Sequence, residues 1–266
     1  MTKERGKSLL AFFQGFCKDL VEAILPPNCL ICGAFDRRQA MAERGEAEPL
    51  ACLTDSYFCE SCRGNIAEIG SPFCSKCGLP FVSREGEDHT CSECLLERKY
   101  FRRARAFGVY EGSLMEAIHR FKYTKKTSLS QPLSALTKET FCQFWGPDAV
   151  DLLIPVPLHI KRLRERGFNQ AYLLIRRWAK VEEISCDPFA LSRIRWTEPQ
   201  TSLSRKERKK NMRRAFSVRQ ADKIGGQKIL LIDDVYTTGS TANECARVLM
   251  EAGAEFVDVL TLARAV

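Results

Sequence analysis

Leu231-Ile232-Asp233-Asp234-Val235-Tyr236-Thr237-Thr238-Gly239-Ser240-Thr241 runs from apolar residues into two carboxylates and then into a loop of small hydroxyl residues. Lys228 to Ile232 reads as a buried parallel strand, and Thr241 to Glu251 as a helix with Ala242, Cys245, Ala246, Val248 and Leu249 on one face. The loop therefore joins a strand to a helix. Backbone N–H groups at a helix N-terminus are unpaired and carry positive partial charge, so the loop can hold a phosphate monoester without a lysine. Thr237, Thr238, Ser240 and Thr241 add hydroxyl donors, and Gly239 permits a tight turn. Asp233 and Asp234, at the carboxyl end of the strand, can accept hydrogen bonds from the paired hydroxyls of a ribose. The expected fold is α/β, a doubly wound parallel sheet. An ordinary polar strand-to-helix loop is the alternative, and a Walker A loop is excluded because the glycine-lysine-hydroxyl ending is missing.

The run resembles the phosphoribosyl-pyrophosphate (PRPP) signature of the type I phosphoribosyltransferases: apolar residues, two acids, then a Thr/Gly/Ser loop. That resemblance implies a PRPP site made of Asp233, Asp234, Val235, Tyr236, Thr237, Thr238, Gly239, Ser240 and Thr241, with Asp233 and Asp234 in the catalytic role and Mg²⁺ arriving with the ligand.

At 266 residues the chain accommodates one sizeable α/β domain plus a smaller module. Lys and Arg outnumber Asp and Glu by 41 to 33, a net charge of +8 that favours phosphates, pyrophosphate or nucleic acid as partners. No apolar run approaches the roughly 20 residues needed to span a bilayer. Leu9-Leu10-Ala11-Phe12-Phe13 is soon interrupted by Gln14, Lys18 and Asp19, and the expectation is a cytoplasmic protein without membrane insertion. Ser8 to Leu25 has the pattern of an amphipathic helix ended by Pro26-Pro27.

Eight of the thirteen cysteines form four CxxC pairs: Cys29/Cys32, Cys59/Cys62, Cys74/Cys77 and Cys91/Cys94. A CxxC turn places two thiolates on one tetrahedral Zn²⁺, and a second pair fills the remaining corners, so two structural zinc sites are expected. Gly33 and Gly78, each just after the second cysteine of its own pair, suit a tight knuckle turn there. Sequential and cross-braced pairings both satisfy the spacing. Disulfides fit a reducing compartment poorly, and no CxxC opens a thioredoxin-like helix. His89 lies in the second site's loop but faces a complete four-cysteine set, so it reads as a surface residue. Cys17, Cys52, Cys142, Cys186 and Cys245 are unpaired by spacing, with Cys245 on an apolar helix face.

Further along, Phe107 to Tyr110 reads as a strand, Ser113 to Phe121 and Leu129 to Phe144 as helices, and Asp151 to Ile154 as a buried strand stopped by Pro155. Past that strand come Arg162, Arg164 and Arg166, candidates for pyrophosphate or for a nucleic-acid backbone, since guanidinium forks match phosphate oxygens. A solvated helix face is the competing reading. Gly167-Phe168-Asn169-Gln170 then opens a helix running through Trp178. From Arg193 to Phe216 a basic excursion carries Arg193, Arg195, Trp196, Arg205, Lys206, Arg208, Lys209, Lys210, Arg213 and Arg214. Cations on such a loop can neutralise a departing pyrophosphate, lie as a solvated surface, or bind single-stranded nucleic acid with Trp196 as a stacking platform.

Four CxxC pairs, Pro155-Val156-Pro157, Arg166-Gly167-Phe168-Asn169-Gln170, Gln200 with Leu203, Arg208 with Asn211, Ala215-Phe216 and the two-acid loop together resemble the ComF family. The resemblance covers nearly the whole chain from Pro26 onward. It implies a zinc-binding module joined to a type I phosphoribosyltransferase-fold domain, and a part in DNA uptake during natural transformation. The expected division is a leading helix over 1–25, a double zinc-ribbon-like module over 26–100 and the phosphoribosyltransferase-fold domain over 101–266. Implied partners are PRPP or another phosphoribosyl ligand, single-stranded DNA, and a competence helicase or DNA-processing protein. The alternative is a non-catalytic single-stranded-DNA-handling factor that keeps the fold for ligand sensing. Two features stand apart from the family pattern, the 33–58 insertion and the leading helix.

Overall fold

The computed structural model describes residues 28–35, 57–83, 85–123, 127–196 and 212–266. The leading helix, most of the 33–58 insertion, and Gln200, Leu203, Arg208, Lys209, Lys210 and Asn211 lie outside these residues. The chain forms two compact units, Met1–Gly64 and Asn65–Val266.

The larger unit is built on a five-stranded parallel sheet. Its strands are β1 (Ala104–Val109), β2 (Leu152–Pro155), β3 (Ser185–Cys186), β6 (Lys228–Tyr236) and β7 (Phe256–Arg264), in the order β1-β7-β6-β2-β3. Ile229 to Ile232 in β6 are buried on both faces, the pattern of a central parallel strand. A separate antiparallel ribbon pairs β4 (Leu191–Arg193) with β5 (Phe216–Val218) and brackets the basic excursion.

Strand order decides where a ligand can enter. From β2 the chain crosses to β3 on one side, whereas from β6 it crosses to β7 on the other. Right-handed crossovers running in opposite directions place their helices on opposite faces. After two one-turn helices, α1 (Glu60–Gly64) and α2 (Ser92–Leu96), and helix α3 (Gly112–Tyr123), helices α4 (Ser130–Phe144) and α6 (Gln170–Val181) accordingly pack on each other, α4 covering β1 and β7 and α6 covering β6. Helix α7 (Ser240–Glu251) packs its Ala242, Cys245, Ala246 and Leu249 with Ile229, Leu231, Val257 and Val259 in one apolar cluster. Neighbouring strands that wind apart leave a crevice beyond their carboxyl ends, and here that crevice lies between β2 and β6.

The strand carrying the acids is longer than its apolar run predicts. Asp233 pairs with Thr261, Val235 with Ala263 and Tyr236 with Arg264, because β7 continues far enough to supply partners. The acids are thus strand residues held by a neighbour, and the loop proper begins at Thr237. Among the described residues no helix is long and apolar enough to cross a membrane.

Candidate functional site

Gly239 takes a left-handed conformation (φ +72°) at the N-cap of α7. A Cβ there would overlap the Tyr236 hydroxyl, so only glycine fits both the turn and the ring beneath it. The Thr238 and Ser240 hydroxyls lie 2.8 Å apart, and the Ser240 N–H points to Thr238 Oγ1 at 3.4 Å. The loop residues Tyr236, Thr237, Gly239, Ser240 and Thr241 line a small recess of about 20 Å³.

Beside that recess opens a cavity of about 580 Å³ between the carboxyl ends of β2 and β6. Asp233, Asp234, Val235, Thr237 and Thr241 form one wall. Val156, Pro157 and Leu158, following β2, form another, with Arg162, Glu165 and Arg166 from the short helix α5 (Ile160–Arg166). Arg193, Trp196, Lys122 and Tyr123 complete it. The Asn169 side-chain amide donates to the Val156 carbonyl at 3.0 Å and so pins the start of α6 to the turn after β2.

The cavity's charges act strongly on one another. Asp233 is pushed up to about 7, first by removal from water and then by the adjacent Asp234 carboxylate, while Lys122 and Arg193 pull the other way. The Lys122 ammonium stands 2.8 Å from Asp234 Oδ1. Burial works against its charge, but Asp234 and Asp233 outweigh that and raise it above the usual lysine value. Arg162 and Arg193 are both lowered by burial, then by like charge, Arg166 acting on Arg162 and Arg162 acting on Arg193. Cations gathered against one another beside a helix N-terminus make a receptor for a polyanion. At the mouth, Lys161 and Arg162 sit over the Trp196 ring at 5.4 and 5.5 Å, and His159 meets it edge-on at 5.1 Å.

The cysteines fall into two sets, Cys29, Cys32, Cys59 and Cys62 in the smaller unit and Cys74, Cys77, Cys91 and Cys94 in the larger one. The pairing is sequential, not cross-braced. Within each set every Sγ lies within 4.8 Å of the others. A tetrahedron with Zn–S bonds of about 2.3 Å has edges of about 3.8 Å. The Cys32–Cys59 and Cys77–Cys91 sulfurs stand 3.7 and 3.8 Å apart, so both sets fit the ion. Cys74 Sγ accepts from the Cys77 and Cys91 N–H groups at 3.4 and 3.3 Å, contacts that orient a thiolate. With four thiolates per site and no open position, these are structural zinc sites. His89 is exposed and stacks on Phe81, away from the thiolates, while Cys245 is fully buried in the apolar cluster.

Residues 20–95 match the double zinc ribbon domain family. Over most of its length the chain is similar to Competence protein F of Haemophilus influenzae, with 31% identity over 231 residues, 79% of this chain and 98% of that protein. The chain belongs to the ComF family. It is also similar to DNA utilization protein YhgH of Escherichia coli K12, 32% identical over 211 residues (78% of this chain, 90% of that one). Competence protein ComFC of Bacillus subtilis is 30% identical over 217 residues, 79% of this chain and 85% of its own.

In this ComF chain the structure gathers Asp233, Asp234, Val235, Thr237, Thr241, Arg162 and Arg166 around one cavity. Thr238 lies on the loop's outer side, and Arg164 is exposed and does not line the cavity. Lys122 and Tyr123 line the same cavity without having been marked by any motif. Lys122 follows the last apolar residue of helix α3 (Gly112–Tyr123), where a basic residue is ordinary helix-end chemistry, and only the fold brings Asp234 to it.

Proposed function

We propose that the cavity binds a phosphoribosyl ligand, PRPP with Mg²⁺, and that the chain transfers the phosphoribosyl group to an acceptor in the course of DNA uptake. The observation that carries this reading is the juxtaposition, around one cavity, of a hydroxyl-lined helix N-terminus, two strand-end carboxylates and three mutually repelling arginines. The 5-phosphate lies on the loop amides of Thr237 to Thr241, the ribose hydroxyls donate to Asp233 and Asp234, and the pyrophosphate faces Arg162, Arg166 and Arg193. In transfer, the bond from the sugar's C1 to the pyrophosphate oxygen breaks as the acceptor's bond forms, and the electron pair leaves with pyrophosphate. The arginines stabilise that developing charge more strongly than the ground state. Lys122 holds Asp234 in place and restrains the repulsion between the two acids. Asp234 already faces Lys122, so Mg²⁺ would be held mainly by the ligand's own oxygens, where it neutralises pyrophosphate.

The relatives' names, competence and DNA utilization, support the biological setting, and zinc-bound thiolates suit a reducing cytoplasm. Calorimetric titration with PRPP and Mg²⁺ tests the site: native protein should bind, and an Asp233→Ala/Asp234→Ala variant should not. Absence of binding by native protein ends this reading.

A second reading, single-stranded DNA contact without catalysis, is favoured by the Trp196 platform and the cations around it. Single-strand affinity should then fall steeply with salt and weaken when Arg208, Lys209 and Lys210 become glutamate. Affinity indifferent to those changes removes that surface.

A further inference from the structure

Four thiolates around one Zn²⁺ carry a net charge of about −2 into the protein interior. Beside the second cluster the structure places a buried cation with no carboxylate partner among the described residues. Arg264, the last residue of β7, is 4% exposed. Its Nη2 donates to Cys77 Sγ at 3.3 Å, whereas Nε and Nη1 find no acceptor among the described residues. The guanidinium lies over the Tyr236 ring, 4.4 Å from its centroid. Tyr236 is the cross-strand neighbour of Arg264 and the last residue before the phosphate loop. Its ring meets Phe101 edge-on, and its hydroxyl, which has no hydrogen-bond partner among the described residues, occupies the space where a Cβ at Gly239 would stand. Thiolate, guanidinium, phenol and glycine form one stack from the metal ligands to the loop.

We propose that Arg264 is a positioning residue that couples the second zinc cluster to the phosphate loop through Tyr236. The cluster's negative charge stabilises the buried guanidinium; the guanidinium fixes the ring by stacking, and the ring supports Gly239 from below. Loss of zinc or of the cation frees the ring and loosens the amides of Thr237 to Thr241. A site that stabilises folding thereby also sets the loop's readiness for an anion. The coupling to ligand affinity rests on the phosphoribosyl reading, whereas the coupling to loop order does not.

The test compares zinc-loaded full-length protein with Arg264→Met, Arg264→Lys and Tyr236→Leu, reading zinc release to a chelator and amide hydrogen exchange. In Arg264→Met, one of the two zinc ions should leave about ten- to a hundred-fold faster, the effect expected when an outer-shell partner of a metal ligand is removed. Loop amides 237–241 should exchange about ten-fold faster, while Cys59 to Gly64, around the first cluster, stay as in native protein. Arg264→Lys keeps the charge but not the planar stack, so zinc release should stay near the native rate while loop exchange rises. Tyr236→Leu should loosen the loop and leave zinc release unchanged. Native zinc release and loop exchange in Arg264→Met overturn the proposal. So does loop exchange that rises only in step with the whole sheet. If Arg264→Met does not fold, unchanged loop exchange in Arg264→Lys overturns it equally. With ribose 5-phosphate as probe, Arg264→Met should lose about ten-fold in affinity. No binding by native protein would count against the phosphoribosyl reading alone, leaving the exchange data to decide the coupling.

Discussion

Two aspartates on adjacent strands show how differently the two ends of the sheet are built. Asp258, third residue of β7, has a fully buried side chain. It accepts hydrogen bonds from Arg102 at 3.0 and 2.6 Å, from Arg103 at 3.1 Å and from the Trp145 indole at 2.7 Å. Burial pushes its carboxyl up, but those bonds and charges outweigh burial and hold it below the usual range. Asp233, toward the carboxyl end of β6, takes its own-chain hydrogen bond from the Asp234 N–H at 2.8 Å and stands next to another acid. It titrates at about 7, largely because burial goes uncompensated. Asp258, toward the amino end of the sheet, is saturated by protein partners, whereas Asp233, toward the carboxyl end, has among the described residues no cation or side-chain donor within hydrogen-bond reach. This contrast is the physical ground for placing the site there.

The contrast breaks most visibly at its saturated end. Asp258→Asn removes the charge that two guanidinium groups share and replaces one accepting oxygen with an NH2 group set against their N–H donors. With Arg102 about half exposed, water relieves part of the loss, so a cost of about 3 kcal/mol is expected in urea unfolding. The same bonds predict that this contribution is present above pH 4 and disappears as pH falls through the carboxyl's depressed folded value. A cost below that of an ordinary surface substitution would mean that the amino end is no better satisfied than the site.

Gly239→Ala comes next. It forces a Cβ into a left-handed turn and onto the Tyr236 hydroxyl, for about 2 kcal/mol of stability. It should also abolish PRPP binding measured by calorimetry, since the loop can relieve the overlap only by moving its amides.

Much of this architecture was legible in the chain. The apolar run before Asp233 marks the central strand, because a strand buried on both faces cannot alternate, and the helix face of Ala242, Cys245, Ala246 and Leu249 follows from period alone. CxxC spacing identifies the zinc ligands, since two thiolates per knuckle are a local property. It left the pairing open, which only folded sulfur positions decide. Lys122 was not legible: its meeting with Asp234 depends on where α3 ends relative to β6, and no nearby residue encodes that. The same holds for Arg264, which reads as an unremarkable strand-end cation until Cys77 and Tyr236 are folded against it. Local patterns fix elements and ligand sets, while long-range packing determines which charges meet.

At the unsaturated end the expected effect is smaller and opposite in sign. Asp233 titrates higher in the folded chain than the value near 4 of an unfolded one, so the folded form retains a proton that the unfolded form has released. Its contribution to stability is therefore full below about pH 4 and is lost as pH rises through about 7. Asp233→Asn should raise stability at pH 8 by about 1 kcal/mol and flatten that slope, less than the full linkage because relaxation and water entry soften a buried charge. Thermal melts from pH 4 to 8 check it. A variant as pH-dependent as the native chain between 4 and 7 would assign the slope to another group and remove the strain from the site.

The finest test separates arginines only two positions apart. Arg162 and Arg166 share the cavity-facing side of α5, one helical turn from each other, while Arg164 points to solvent. If the cations act by facing a bound pyrophosphate, Arg162→Ala should weaken PRPP binding about three-fold, a modest loss because Arg166 and Arg193 share the charge, and Arg164→Ala should change nothing. If they act only as a diffuse positive field, the two variants should lose affinity equally and both losses should vanish at high salt, since screening removes a distant charge but not a desolvated contact. Equal, salt-sensitive losses would return the carboxyl end of the sheet to the status of a charged surface. A loss at Arg162 that survives salt would tie the repulsion between its cations to the binding of one ligand in one cavity.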